Sequence, residues 1–183
     1  MRNFLTALLT TGALLGAAGS ASAATASNSF TVSATVLKTC SVTATNLGFG
    51  SYTPLSGPLT ATSTVSVKCT KNTGFTVALD NGSTTGGTIT QRLMAQGGGT
   101  GTLQYNLCTT PVLASGSCNG ASLWGDGTAG TATQAGTGAG MAAANAQSFT
   151  VNGGLPDNAF NQAAAVAGAS SAYSDVVTVT VTY

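Results

Sequence analysis

Four cysteines are the side chains with the clearest capacity for chemistry: Cys40, Cys69, Cys108 and Cys118. They could hold zinc, but the chain has no histidine and no Cys-x-x-Cys pair, which argues against a metal site. An even number of cysteines in an exported chain is typical of disulfides, and four cysteines allow three pairings. We favour Cys40–Cys69 and Cys108–Cys118, because each pair can close within neighbouring strands or within one loop.

Patterns that would support catalysis or cofactor binding are weak. Asp126 and Asp157 could form the acid pair of a glycosidase, but both lie among turn residues, where a structural role is the better interpretation. Residues 125–130 match Gly-x-Gly-x-x-Gly without the strand–turn–helix unit of a dinucleotide site. Trp124 beside them is favoured as a core or hairpin-anchoring residue over a sugar-stacking platform. We predict no catalytic residue, no cofactor and no metal, and we do not expect an enzyme.

The charge of the chain limits its partners. Only 5% of residues are charged, against about 25% in ordinary soluble domains. Four cations and four anions remain after the first 23 residues, so no basic patch is available for nucleic acid. A near-neutral surface rich in Thr, Ser, Ala and Gly suits a protein that is assembled at the cell exterior, and a secreted monomer of low charge is the alternative.

The N-terminus carries the pattern of an export signal. Arg2 precedes an apolar stretch over residues 5–18 that is too short to span a bilayer, and Ala21-Ser22-Ala23 fits a small-residue cleavage site. A membrane anchor is the alternative, and the same length argues against it. We predict a signal peptide over residues 1–23, followed by chain enough for one ordinary domain. The predicted location is the periplasm in transit, then the cell surface or the extracellular space.

Nearly all strong periodic segments behind the signal alternate with period two, which indicates strands. Gly-rich turns separate them. Only residues 141–147 and 161–167 are mildly helical in composition, and loops that flank strands are the alternative for both. Several short strands divided by turns favour an all-β sandwich. The apolar faces are Val65, Val67 and Cys69; Phe75, Val77 and Leu79; Leu103, Tyr105 and Leu107; a short strand with Phe149 and Val151; and Val177, Val179, Val181 and Tyr183.

Two of these segments are unusual in their position. Residues 30–36 form an alternating strand directly behind the signal, with no hairpin partner beside it. The last strand ends on the final residue, where an immunoglobulin-like sheet would often add one more strand. A hydrophobic groove would then lie beside the C-terminal strand. The N-terminal strand, from the same chain or from another copy, has the right shape to fill it.

An ordered set of motifs over residues 28–183 resembles the spore coat protein U domain family, which includes subunits of archaic (Csu-type) chaperone–usher pili. The motifs are TCSV at 39–42, LGFGSY at 47–52, VKCT at 67–70, FTVALDNG at 75–82, LQYNL at 103–107, LWGDG at 123–127 and AYSDVVTVTVTY at 172–183.

The resemblance implies an incomplete immunoglobulin-like β-sandwich that a donor strand completes. It implies a periplasmic pilus chaperone, an outer-membrane usher and other subunits as partners, and a surface pilus that supports adhesion and biofilm formation. Cys40 and Cys69 match the family's bridge between the first two strands. The implied donor residues are Phe30, Val32, Ala34 and Val36, and the implied acceptor or chaperone-binding edge is Val177, Val179, Val181 and Tyr183.

We therefore divide the chain into a signal peptide (1–23), a donor segment (24–38) and a sandwich domain (39–183). A first alternative is a secreted coat or matrix protein of the same fold, whose N-terminal strand fills its own groove. A second is a lectin-like adhesin that binds ligands through its Gly-, Thr- and Ala-rich loops, although the mature chain leaves little room for a receptor-binding domain.

Overall fold

The computed structural model describes residues 22–164 and 172–183 of the chain. The predicted signal peptide lies outside the described residues except for its last two positions. The chain divides into two compact units, residues 1–35 and residues 36–183. Among the described residues, no helix is long and apolar enough to cross a bilayer.

In the first unit, residues 22–35 form neither helix nor strand. Phe30 and Val32 expose 87% and 83% of their surfaces. A strand takes its regular structure from hydrogen bonds to a neighbouring strand, and alternation of side chains alone does not supply them. The strand predicted over residues 30–36 is therefore not formed in this structure, and its role as a donor stays a prediction.

The second unit is built from antiparallel strands that form two sheets. The six-stranded sheet has the order β1-β2-β7-β5-β4-β8, and the three-stranded sheet has the order β6-β3-β9. The strands are β1 (Cys40–Ala44), β2 (Leu59–Cys69), β3 (Gly74–Leu79), β4 (Arg92–Gln96), β5 (Thr102–Cys108), β6 (Gln134–Thr137), β7 (Gln147–Leu155), β8 (Tyr173–Ser174) and β9 (Val179–Thr182), with one short helix, α1 (Ala159–Ala164).

The core lies between the sheets and consists of the predicted alternating faces. Val65, Val67 and Cys69 of β2 are buried, as are Phe75, Val77 and Leu79 of β3 and Leu103, Tyr105 and Leu107 of β5. Trp124 is 0% exposed and donates its indole N–H to the Val77 carbonyl at 3.1 Å. The core interpretation of Trp124 is therefore confirmed.

Strand β7 is longer than the short strand predicted around Phe149 and Val151. It runs for nine residues and pairs with β2 on one side and β5 on the other. Its last part contains Gly153 and Gly154, which carry no strand signal. A Cβ on Gly154 would lie 2.2 Å from the Gly116 carbonyl oxygen, so close packing of a loop against the strand requires glycine there.

The two regions of mildly helical composition contain only short helical pieces. A 3₁₀ turn covers Ala143–Asn145 inside the first region. Helix α1 overlaps the start of the second region, of which residues 165–167 lie outside the described residues. In α1, Asn161 is fully buried and bonds to the backbone of Gln104 and Pro156, so the helix closes one end of β5.

Candidate functional site

Four strands of the described sandwich pair on one side only: β1 and β8 at the edges of one sheet, and β6 and β9 at the edges of the other. Of these, β1 and β9 flank the candidate site. β1 pairs with β2 from Cys40↔Cys69 to Ala44↔Val65, and β9 pairs with β3 from Leu79↔Val179 to Thr76↔Thr182. The strands belong to different sheets and contact each other across the gap between them. Each presents a row of backbone N–H and C=O groups that a further strand could bond.

A cavity of about 370 Å³ opens between these two edges. Its walls come from both sheets, in the half of the sandwich away from the Cys40–Cys69 bridge. Most of the lining is apolar, so burying an apolar side chain here would be favourable. We call this cavity the groove; its apolar walls include Leu47, Phe49, Val65, Leu107, Val177 and Val179.

The predicted acceptor residues lie at different places along the groove. Val177 and Val179 line it directly. Val181 is half-buried and packs against the core beyond the cavity, and Tyr183 is 54% exposed at the end of the chain. The four residues occupy alternate positions along one sheet edge. Their role in receiving a partner strand remains a prediction.

The second wall of the groove contains residues that periodicity does not reveal. Leu47 and Phe49 follow β1 in an irregular segment and turn inward over the core. Phe49 packs edge-on against Tyr105, with ring centroids 6.4 Å apart. The motif at 47–52 contained both residues, but only the fold shows that they face β9 across the groove.

Asp175 closes the groove at the end where the chain enters β9. Its Oδ1 accepts hydrogen bonds of 2.9–3.0 Å from the backbone N–H and hydroxyl groups of Ser83 and Thr84. Its Oδ2 accepts one bond of 2.6 Å from the hydroxyl of Tyr105. Burial, together with this bond, raises the pKa of Tyr105, so the phenol stays protonated and remains a donor.

Asp80 holds the start of β9 from the other side. Its Oδ1 accepts the backbone N–H groups of Thr178 and Gly82, both at 2.9 Å. Burial opposes ionisation of this carboxyl, but the bonds from Thr178 and Gly82 and the charge of Arg92 outweigh it and lower the pKa of Asp80. Residues 80–82, at the end of the motif FTVALDNG, thus anchor the acceptor edge.

Both favoured disulfides are present. Cys40 and Cys69 join the first residue of β1 to the last of β2, with Cα atoms 4.1 Å apart. Cys108 and Cys118 join the end of β5 to the following loop, with Cα atoms 5.5 Å apart. Among the described residues no cluster of three metal-binding side chains occurs. The cysteines are structural cross-links in this fold.

The two carboxylates considered for acid catalysis each bind a local loop. Asp126 accepts the backbone N–H and hydroxyl of Thr128 at 2.8 and 2.6 Å, which is turn geometry within the Gly-rich residues 125–130. Asp157 accepts the Tyr52 hydroxyl at 2.7 Å and the Gly57 N–H at 2.8 Å. The structural interpretation of both residues agrees with these contacts.

Asp157 should make the stability of the domain dependent on acid pH. The hydrogen bond from Tyr52, with those from Gly57 and Leu55, lowers the pKa of Asp157 to about 2, below the value of about 3.9 in an unfolded chain. The stabilisation is therefore complete above about pH 4 and is lost as the pH falls towards 2. We expect Asp157→Asn to unfold at a lower urea concentration than the wild type at pH 7.

Urea titrations at pH 7, 4, 3 and 2.5 check this expectation. The difference between the wild type and Asp157→Asn should shrink steadily below pH 4, because protonation removes the same charge that the substitution removes. A difference that stays constant down to pH 2.5 would show that the carboxylate charge does not stabilise the loop.

Comparisons with known proteins bear on the family and on the fold of the chain. The family model of the Spore Coat Protein U domain matches residues 26–180. No curated protein matches the chain. A solved structure matches with a TM-score of 0.52 and 22% identity: the CsuC–CsuE chaperone–tip adhesion subunit pre-assembly complex from archaic chaperone–usher Csu pili of Acinetobacter baumannii. The match covers 81% of this chain and 41% of the other, and it confirms the predicted immunoglobulin-like sandwich.

Proposed function

The chain belongs to the spore coat protein U domain family, and from this premise we propose that it is a structural subunit of a surface pilus assembled by donor-strand exchange. The observation that carries the proposal is the groove between the singly paired edges of β1 and β9. An inserted strand would bond to an edge and bury its apolar face against Val177 and Val179. The role is structural and not catalytic.

The donor in this proposal is the N-terminal segment of another subunit. Phe30, Val32, Ala34 and Val36 share one face, and Phe30 and Val32 are among the most exposed large apolar residues of the described chain. Burying a large apolar side chain contributes roughly 1.5–3 kcal/mol. A full-length donor also has to separate β1 and β9 where they now touch, so part of this gain offsets that contact.

The partners follow from the same step. A periplasmic chaperone would lend a strand to the groove until, at an outer-membrane usher, the donor of the next subunit replaces it. The protein would then pass through the periplasm to the cell surface, where the pilus supports adhesion and biofilm formation. The solved complex of the similar fold contains a chaperone and a pilus subunit, which supports this choice of partners.

Co-expression of the full chain with its candidate chaperone and usher tests the proposal. Surface extracts should give a ladder of multimers on unheated denaturing gels, and heating should collapse it to monomer. Deletion of residues 24–36 should remove the ladder. Replacing the same residues by a Gly/Ser sequence of equal length is the matched control, and it should also fail to polymerise. A single monomer band from the intact chain would instead favour the self-contained coat protein.

A further inference from the structure

Resting on the proposed donor-strand exchange, we propose that Lys38 of the subunit that donates the strand binds the Asp175 carboxylate of the subunit that receives it. This ion pair would fix both the direction and the register of the inserted strand. Lys38 and Asp175 would thus add a charge contact to the recognition that the apolar side chains of the donor provide. A donor whose only recognition is apolar could slide by two residues and still bury apolar side chains.

The sequence places a cation at the end of the donor face. Because side chains alternate along a strand, the face formed by Phe30, Val32, Ala34 and Val36 continues to Lys38. No other residue on that face carries a charge. Lys38 is exposed in the structure, and its long stem can lie along an apolar wall while the ammonium group reaches a polar end.

The groove offers one matching charge. Of the residues that line it in the described structure, Asp175 is the only Asp, Glu, Lys, Arg or His. All hydrogen-bond donors to Asp175 among the described residues are hydroxyl or backbone N–H groups. Arg92 interacts with it electrostatically but donates its hydrogen bonds to carbonyl oxygens. Because Oδ2 accepts a single bond and a carboxylate oxygen accepts about two, Asp175 retains capacity for an ammonium donor.

Pairing these charges selects one direction and one register. A donor antiparallel to β9 with Lys38 beside Asp175 brings Val36 opposite Val177 and Ala34 opposite Val179. Continuing the same alignment brings Val32 opposite Val181 and Phe30 opposite Tyr183. Each inward side chain of the donor then faces an inward side chain of the acceptor edge, as antiparallel neighbours do. A parallel donor would carry the ammonium to the opposite end of β9.

The geometry requires that the two charges come from different copies. Lys38 lies two positions before Cys40, so its Cα is within about 7 Å of that disulfide. Cys40 and Thr182 lie at the same end of the sandwich, because Cys69 leads directly into β3, whose first residues pair with Thr182. Asp175 lies at the other end, roughly 20 Å away at about 3.3 Å per residue. A chain cannot satisfy its own Asp175 with its own Lys38.

Strand exchange onto the full chain, purified as its chaperone complex, tests the pairing. The probes are fluorescent peptides of residues 28–39, and the readout is their rate of incorporation into a complex that survives unheated denaturing gels. Lys38→Gln should slow incorporation about tenfold at about 50 mM salt, and Lys38→Arg should keep most of the rate. Thr39→Glu, which has the same net charge as Lys38→Gln, should change it less than about twofold. The Lys38 effect should shrink at about 500 mM salt, where a charge pair is screened.

Asp175→Asn in the receiving subunit completes the test. It should remove the preference for Lys38, so that the wild-type and Lys38→Gln peptides incorporate at equal rates. If this variant does not fold, the peptide series with the wild-type subunit still decides the question. Equal rates and equal salt dependence for all peptides would overturn the ion pair and leave strand exchange standing. Failure of the wild-type peptide to incorporate would overturn the proposed function itself.

Discussion

Replacing Val32 by Asp should abolish the heat-sensitive ladder of multimers. Val32 lies in the middle of the apolar donor face, so insertion would carry the new carboxylate between the sheets. Insertion would lose roughly 1.5–3 kcal/mol of apolar burial. The desolvated carboxylate would add a cost of at least a few kcal/mol unless it stays protonated. The sum corresponds to more than a hundredfold loss of strand exchange.

Ser33→Asp is the matched control for this prediction. It introduces the same charge one residue away, on the face that would point away from the groove. Unheated gels of surface extracts should therefore show the ladder for Ser33→Asp and only monomer for Val32→Asp. Secreted monomer must be equal in both, which excludes a fault in export. If the two variants polymerise equally well, the donor face is wrongly assigned.

The strands of the sandwich could be predicted because their signal is local. Alternation along β2, β3 and β5 marks which residues are buried without knowledge of any partner, and Val65, Phe75 and Leu107 occupy the core as expected. The second half of β7 escaped prediction because Gly153 and Gly154 are fixed by the packing of other segments against them. The local sequence pattern predicts which face of a strand is buried. It does not predict where distant segments of the backbone pack against that strand.

For the same reason, only one of the two walls of the groove could be predicted from the sequence. The C-terminal edge with Val177 and Val179 shows strict alternation, whereas Leu47 and Phe49 on the opposite wall lie in an irregular segment. Which edges stay singly paired depends on the order of strands in both sheets, and strand order arises from long-range contacts. The burial of Arg92 likewise follows from tertiary structure, since nothing in its neighbours separates it from an exposed cation.

Replacing Arg92 should destabilise the sandwich strongly. Its side chain is 1% exposed, and the guanidinium bonds to the carbonyl oxygens of Asp80, Trp124 and Leu79 at 2.8, 2.9 and 3.4 Å. Arg92→Met would leave these acceptors buried without a donor, at about 1–3 kcal/mol for each unsatisfied group. Relief from burying a cation, whose pKa is lowered by that burial, offsets part of this loss.

We expect a net loss of about 3 kcal/mol in the free energy of unfolding for Arg92→Met, a large share of the roughly 5–15 kcal/mol that stabilises a domain. Trp124 is the single tryptophan, it is buried, and its carbonyl oxygen accepts a hydrogen bond from Arg92. Its fluorescence in a urea titration therefore reports unfolding.

Lys71→Met, which replaces an exposed cation, is the control and should leave the urea midpoint nearly unchanged. Arg92→Lys separates charge from shape, because an ammonium group cannot span three carbonyls as the planar guanidinium does. A midpoint for Arg92→Met equal to that of Lys71→Met would show that the buried guanidinium contributes nothing. Since the guanidinium binds the carbonyls of Asp80 and Leu79, at the end of β3 that holds the start of β9, its loss should weaken the groove together with the core.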